Sequence, residues 1–201
     1  MSLALVLILT INMTVVILLL NSEVYAVTAN TTDFLIQVPS GWVYRENFRL
    51  YNELDNSIML TPNDFADKLL PDNVYNFDVM NGTFAELAAD HTFPIKNAPL
   101  KMYLKHALRF STGLPLRYEN ATVGGEKAIK VLMNSTDLVN AIKLTNKSAD
   151  LSAVPTLITL SYFVIHNDQP YYLNYQSNAT KDYQKYLPEF EQMVKTFKFA
   201  K

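Results

Sequence analysis

The spacing of hydrophobic positions changes several times along the chain, and each change marks an element. The clearest comes last. Tyr183, Tyr186, Leu187, Phe190, Met193, Val194 and Phe197 recur at helical intervals, while Lys181, Lys185, Glu189, Gln192, Lys195 and Lys198 face away. This predicts an amphipathic helix laid over a sheet. Pro188 lies inside it and predicts a local kink, because proline lacks an N–H and crowds the carbonyl four residues back. Elsewhere the period is two. Phe34, Ile36 and Val38 share one face of a strand, Pro39-Ser40-Gly41 turns, and Trp42-Val43-Tyr44 resumes extended structure. Ser57–Thr61 and residues 74–80 read as further strands. Arg117–Val123 and Glu126–Asn134 flank Gly124-Gly125, a turn able to take positive φ, and form a hairpin. Residues 156–166 are apolar on both faces from Leu157 to Ile165, which suits a covered central strand. Asn167-Asp168-Gln169-Pro170 then turns the chain into Tyr171–Ser177.

Two more helices are expected between these strands. Thr83-x-x-Glu86 has the spacing of a capping box and would open a helix over Phe84–His91. Pro99 suits a first helical position, Leu100, Tyr103, Leu104, Ala107 and Leu108 follow at helical spacing, and Gly113 can end the helix. Residues 135–155 form a long connection of a kind that is usually functional, helical or mobile. Strands, helices, strands and a closing helix give an α+β domain over residues 33–201, an antiparallel β-sheet covered by helices.

The N-terminus follows a different rule. In residues 3–20, fifteen of eighteen positions are apolar and every face of a helix is covered. At 1.5 Å per residue such a helix spans about 27 Å, close to a hydrocarbon core of roughly 30 Å. Val24-Tyr25-Ala26 is a small-x-small pattern suited to signal peptidase, although the segment contains no Lys or Arg before it. Residues 1–26 are therefore read as a signal peptide or an N-terminal membrane anchor, and 27–32 as a short polar tether. Both readings place the domain outside the cytoplasm.

Composition narrows the function. The chain has 201 residues, no cysteine and a net charge of −2. Thiol catalysis, disulfides and cysteine-ligated zinc are excluded, and there is no basic footprint for nucleic acid. Asn-x-Ser/Thr sequons begin at Asn30, Asn81, Asn120, Asn134, Asn146 and Asn178, with a further one at Asn12 inside the apolar stretch. Random order of the same residues after position 26 would give about two. The excess marks these six as candidate glycosylation sites on an exported surface.

Catalytic patterns are sparse. His91, His106 and His166 do not have the i, i+3 or i+4 spacing of a metal pair. Asp64 and Asp67, or Asp137 and Asp150, lack the calcium-loop pattern. No serine sits in a nucleophile elbow, and Gly124-Gly125 has no following Lys-Ser/Thr. Twelve Tyr and eleven Phe raise the idea of a ligand platform. Tyr171, Tyr172, Tyr175, Tyr183 and Tyr186 are better placed as the seam between terminal helix and sheet, with Trp42 in the core.

Three segments in order resemble the PsbP-like family. They are the strand into Val38-Pro39-Ser40-Gly41-Trp42, the hairpin Gly125-Glu126-Lys127-Ala128, and the close from Asp182-Tyr183-Gln184-Lys185-Tyr186-Leu187-Pro188 to Met193-Val194-Lys195-Thr196-Phe197. The resemblance implies an α/β/α sandwich and a small, exported, accessory protein. Photosynthetic members attach to photosystem II and help retain its calcium and chloride; many relatives have no known activity, and a nuclear transport factor that binds a small GTPase shares the fold. No ion-ligand set can be matched onto this sequence. The expectation is a non-enzymatic binding or assembly module with a membrane or cell-envelope protein partner and no cofactor. A small-ligand carrier and an exported hydrolase are the alternatives, needing respectively an apolar pocket between helix and sheet and a concave site with two or more of His91, His106, His166, serines or carboxylates in hydrogen-bond reach.

Overall fold

The computed structural model describes residues 25–46, 55–68, 83–89, 100–107, 117–134, 143–144, 147–148, 158–177 and 180–201. Among these residues, ten strands form two antiparallel sheets. The smaller holds β1 (Tyr25–Asn30), β2 (Phe34–Pro39) and β10 (Lys198–Phe199), with β2 in the middle. The larger has seven strands: β3 (Trp42–Glu46), β4 (Asp55–Pro62), β5 (Thr83–Ala89), β6 (Arg117–Val123), β7 (Glu126–Asn134), β8 (Ile158–His166) and β9 (Gln169–Ser177). Their spatial order is β3-β4-β5-β9-β8-β7-β6. The described residues also form two α-helices, α1 (Leu100–Ala107) and α2 (Thr180–Thr196), and a 3-10 helix at Asn63–Lys68.

The fold is α+β, as expected, and its layers follow from strand alternation. Ile58, Leu60, Ala85, Leu87, Leu160, Tyr162, Val164, Leu173 and Tyr175 point to one face. They meet Tyr183, Tyr186, Phe190, Met193, Val194 and Phe197 of α2 and Phe34, Ile36 and Val38 of β2. The opposite face presents Val131 and Phe163 to Tyr103 and Leu104 of α1. Both tight turns use left-handed backbone. Gly124 and Gly125 have φ of 58° and 89°, and Asn167 and Asp168 have 50° and 61°. Those values suit two-residue hairpins, because they match the twist of the strands they join.

Two expectations are corrected. Residues 83–89 are a strand, not the start of a helix over Phe84–His91. β5 lies between β4 and β9, with Ala85 opposite Tyr175, Ala88 opposite Tyr172 and Ala89 opposite Tyr171. The small Ala85 and Ala89 leave room for Tyr175 and Tyr171, and that packing overrides their helix propensity. Residues 27–30, expected within a tether, belong to β1, where Thr28 pairs with Gln37 and Ala29 is fully buried. The other strands, the hairpins and the terminal helix form where the pattern places them, with Pro188 inside α2. The expected strand at 74–80, residues 108–113 of the middle helix and the apolar segment 3–20 lie outside the described residues. No described helix is long and apolar enough to cross a membrane.

Candidate functional site

The tyrosine-rich seam was the main sequence candidate for a ligand platform, and its geometry is that of a packed core. Tyr175 is fully buried. Its ring stacks on Phe190 at 5.0 Å and tilts against Tyr183 at 5.1 Å. Its hydroxyl donates to the carbonyls of Tyr183 at 2.9 Å and Asp182 at 3.4 Å, fastening the first turn of α2 to β9. Burial pushes this hydroxyl above the ordinary tyrosine range. Tyr171 donates to the Asp33 carbonyl at 3.5 Å and is pushed up to about 12, by burial first and the Asp33 charge second. Tyr183 is likewise pushed up to about 12, chiefly by burial. Tyr172 belongs to the other face, tilted against Phe163 at 5.1 Å.

At one end of the seam lies a polar cluster. Trp42, buried as expected, donates its indole N–H to Glu189. Tyr186 donates to Asp64, and Lys185 reaches the same carboxylate at 2.8 Å while lying 4.5 Å over the Tyr186 ring. Donation to the Asp64 carboxylate raises the Lys185 pKa. Burial, then Asp64, raises that of Tyr186. The Asp64 carboxylate, which with Asp67 lacks the calcium-loop pattern, thus serves to join the 3-10 helix to α2. Partway along the seam, Lys130 pairs with Glu191 at 2.8 Å and lies 5.7 Å over Tyr162. Partial burial works against the Lys130 charge, but Glu191 prevails and its pKa rises.

His166 stands at the other end. Nδ1 lies 3.1 Å from Glu126, Nε2 lies 3.0 Å from the Asn167 amide, and the ring stacks on Phe199 at 4.1 Å. Phe199 also packs edge-on to Tyr171 and over Gly124. These contacts hold the β6–β7 and β8–β9 turns and β10 together. A carboxylate, an amide and an aromatic ring thus engage the imidazole. His91 and the His106 side chain lie outside the described residues, and no metal-holding group of three or more His, Cys, Asp or Glu occurs among those described.

Sequence reasoning missed a polar row across the second face. The Ser161 hydroxyl donates to Asn174 Oδ1 at 2.9 Å and lies 3.5 Å from the Tyr172 hydroxyl. Ser57, Thr61, Ser161 and Asn174 are all buried, and the Thr61 hydroxyl has no hydrogen-bond partner among the described residues. In register, Met59, Glu86, Asn174, Ser161 and Val131 line up across five strands. The signal was present as the odd polar residues of LITLSYFV and YYLNYQ, which fall on the face away from α2.

Of the candidate glycosylation sites, Asn30 and Asn120 are exposed and Asn134 is half-buried; Asn81, Asn146 and Asn178 lie outside the described residues.

No protein-family model matches the chain, and no curated protein sequence matches it. Solved structures do resemble it. LpqN of Mycobacterium tuberculosis, described as involved in cell envelope biogenesis, has TM-score 0.48 and 12% identity, over 84% of this chain and 83% of its own. Cyanobacterial PsbP (CyanoP) from Synechocystis sp. has TM-score 0.44 and 8% identity, over 87% and 91%. The Ran-binding protein Mog1p of Saccharomyces cerevisiae has TM-score 0.44 and 10% identity, over 82% and 88%. At these identities and TM-scores the likeness marks no family.

Proposed function

We propose that the chain is an exported or membrane-anchored, non-enzymatic binding or assembly module that engages a membrane or cell-envelope protein through its outer surface. The packed aromatic seam carries this reading. A carrier of this architecture would hold its ligand between α2 and the sheet. That space is filled by the stacked rings of Tyr175 and Phe190 and the edge contacts of Phe34, Tyr171 and Phe197. His166 and Glu126 are a histidine–carboxylate pair in reach, but they lie at exposed hairpin turns, held by Asn167 and Phe199, which favours a structural role over hydrolysis. The apolar segment 3–20 and the sequon excess support export. Mild crosslinking of the native protein in its own membrane fraction, followed by mass spectrometry, tests the reading. A recurrent protein partner crosslinked to one surface is the expected result. An apolar small molecule co-purifying in stoichiometric amount, with no protein partner, would replace it with the carrier.

A further inference from the structure

The two exposed sequons among the described residues both lie on strands at the edge of a sheet. Asn120 is the middle residue of β6, which borders the seven-stranded sheet beyond β7. Asn30 is the last residue of β1, which borders the three-stranded sheet beyond β2. Among the described residues these are the longest of the four edge strands, at seven and six residues, against five for β3 and two for β10. A long edge strand offers unpaired backbone groups to another chain, and proteins protect such edges explicitly. On β6 the residues Arg117, Tyr118, Glu119 and Asn120 are exposed in succession, and the large Tyr118 ring is 54% exposed. An asparagine at the centre of a strand is unfavourable for strand formation, so its position invites another explanation. Thr122, the hydroxyl residue of the sequon, is exposed too and shares a face of β6 with Asn120.

We infer that Asn120 and Asn30 carry N-linked glycans that block edge-to-edge association of the two sheets. The inference rests on the export reading above, since the transfer takes place outside the cytoplasm. In it, the Asn side-chain Nδ2 bonds to the anomeric carbon of a lipid-phosphate-linked oligosaccharide. The bond from that carbon to the phosphate oxygen breaks, the lipid phosphate leaves with the electron pair, and Nδ2 gives up one proton to the transferase. A bulky, solvated group rooted on one face at the centre of β6 then sweeps the space beside the edge and hinders an approaching strand.

The full chain, recovered from soluble and membrane fractions of its own cells, supplies the test. Its mature N-terminus and intact glycopeptides are read by mass spectrometry. Native protein before and after enzymatic deglycosylation, and Asn120→Gln and Thr122→Ala variants, are compared by size-exclusion chromatography with light scattering. The expected result is sugar at Asn120 and Asn30, and a several-fold larger self-associated fraction in all three sugar-free forms at Asn120. Agreement between the two variants separates loss of the glycan from any local change in β6. Bare peptides at both positions in an exported protein overturn the inference and leave export standing. Bare peptides in a protein found only in the cytosol overturn both. Sugar that can be removed without any change in association overturns the edge-blocking role.

Discussion

The two faces of the seven-stranded sheet are buried by different means. On the α2 side, the core is held by large rings whose hydroxyls reach backbone carbonyls at the margin. On the α1 side, a smaller apolar cluster around Tyr103, Val131 and Phe163 gives way to Ser57, Thr61, Ser161 and Asn174. The first face depends on volume and stacking, and the second on hydrogen bonds being satisfied. A mutation that keeps polarity but loses bulk should hurt the first, and one that keeps bulk but loses a partner should hurt the second.

The largest expected effect is on the aromatic face. Phe190→Ala removes a fully buried ring and should cost about 3–5 kcal/mol in denaturant unfolding. On the polar face, Asn174→Ala leaves the Ser161 hydroxyl without its acceptor and should cost about 1–3 kcal/mol. Removing both polar groups in Ser161→Ala/Asn174→Leu should recover part of that loss. If Asn174→Ala costs as much as Phe190→Ala, the distinction between the faces fails. At the end of the aromatic face, Gly124→Ala should lower stability by about 1–2 kcal/mol through left-handed backbone strain. An added Cβ would also lie 2.6 Å from Phe199 Cε2. Gly125→Ala, with φ of 89° but open space around it, should cost less in the same melting experiment.

The smallest effect near neutral pH belongs to the tyrosine hydroxyls. Tyr171 and Tyr183 hold their protons up to about 12 in the folded chain, against about 10 unfolded. Between those values the unfolded state binds fewer protons, so stability falls as pH rises through that window and is unaffected below it. Unfolding titrations at pH 8, 10 and 11 should show this decline, with a shallower one in Tyr171→Phe. An unchanged slope in that variant would place the alkaline sensitivity outside the aromatic face.

Much of this was legible in the chain. The two hairpins were marked by Gly124-Gly125 and Asn167-Asp168, where local backbone chemistry dictates the turn. The terminal helix was marked by the spacing from Tyr183 to Phe197, and its tyrosines fell in the expected seam. What failed was non-local. Thr83-x-x-Glu86 followed by Leu87-Ala88-Ala89 has local features of a helix start, and only the tyrosines of β9, some eighty residues later, make it a strand. β1 and β10 were missed because each is defined by pairing with β2 and carries little pattern of its own. The Ser161–Asn174 pair was missed because two isolated polar residues in apolar runs do not reveal that they will be neighbours.

The order of the large sheet also has a temporal consequence. Every neighbouring pair of strands is consecutive in the chain except β5 and β9. The sheet is therefore two meanders, β3-β4-β5 and β6-β7-β8-β9, joined along a single seam where Ala85 meets Tyr175 and Ala89 meets Tyr171. The β6–β7 and β8–β9 hairpins close two-residue turns quickly, and the β4–β5 and β7–β8 pairs close longer connections. This seam closes the longest, from Ala89 to Gln169, before its contacts repay the lost chain entropy. Closing this seam is the step expected to set the refolding rate. Substitutions along it should slow the folding limb of a chevron plot, while those in the hairpin turns should act mainly on the unfolding limb.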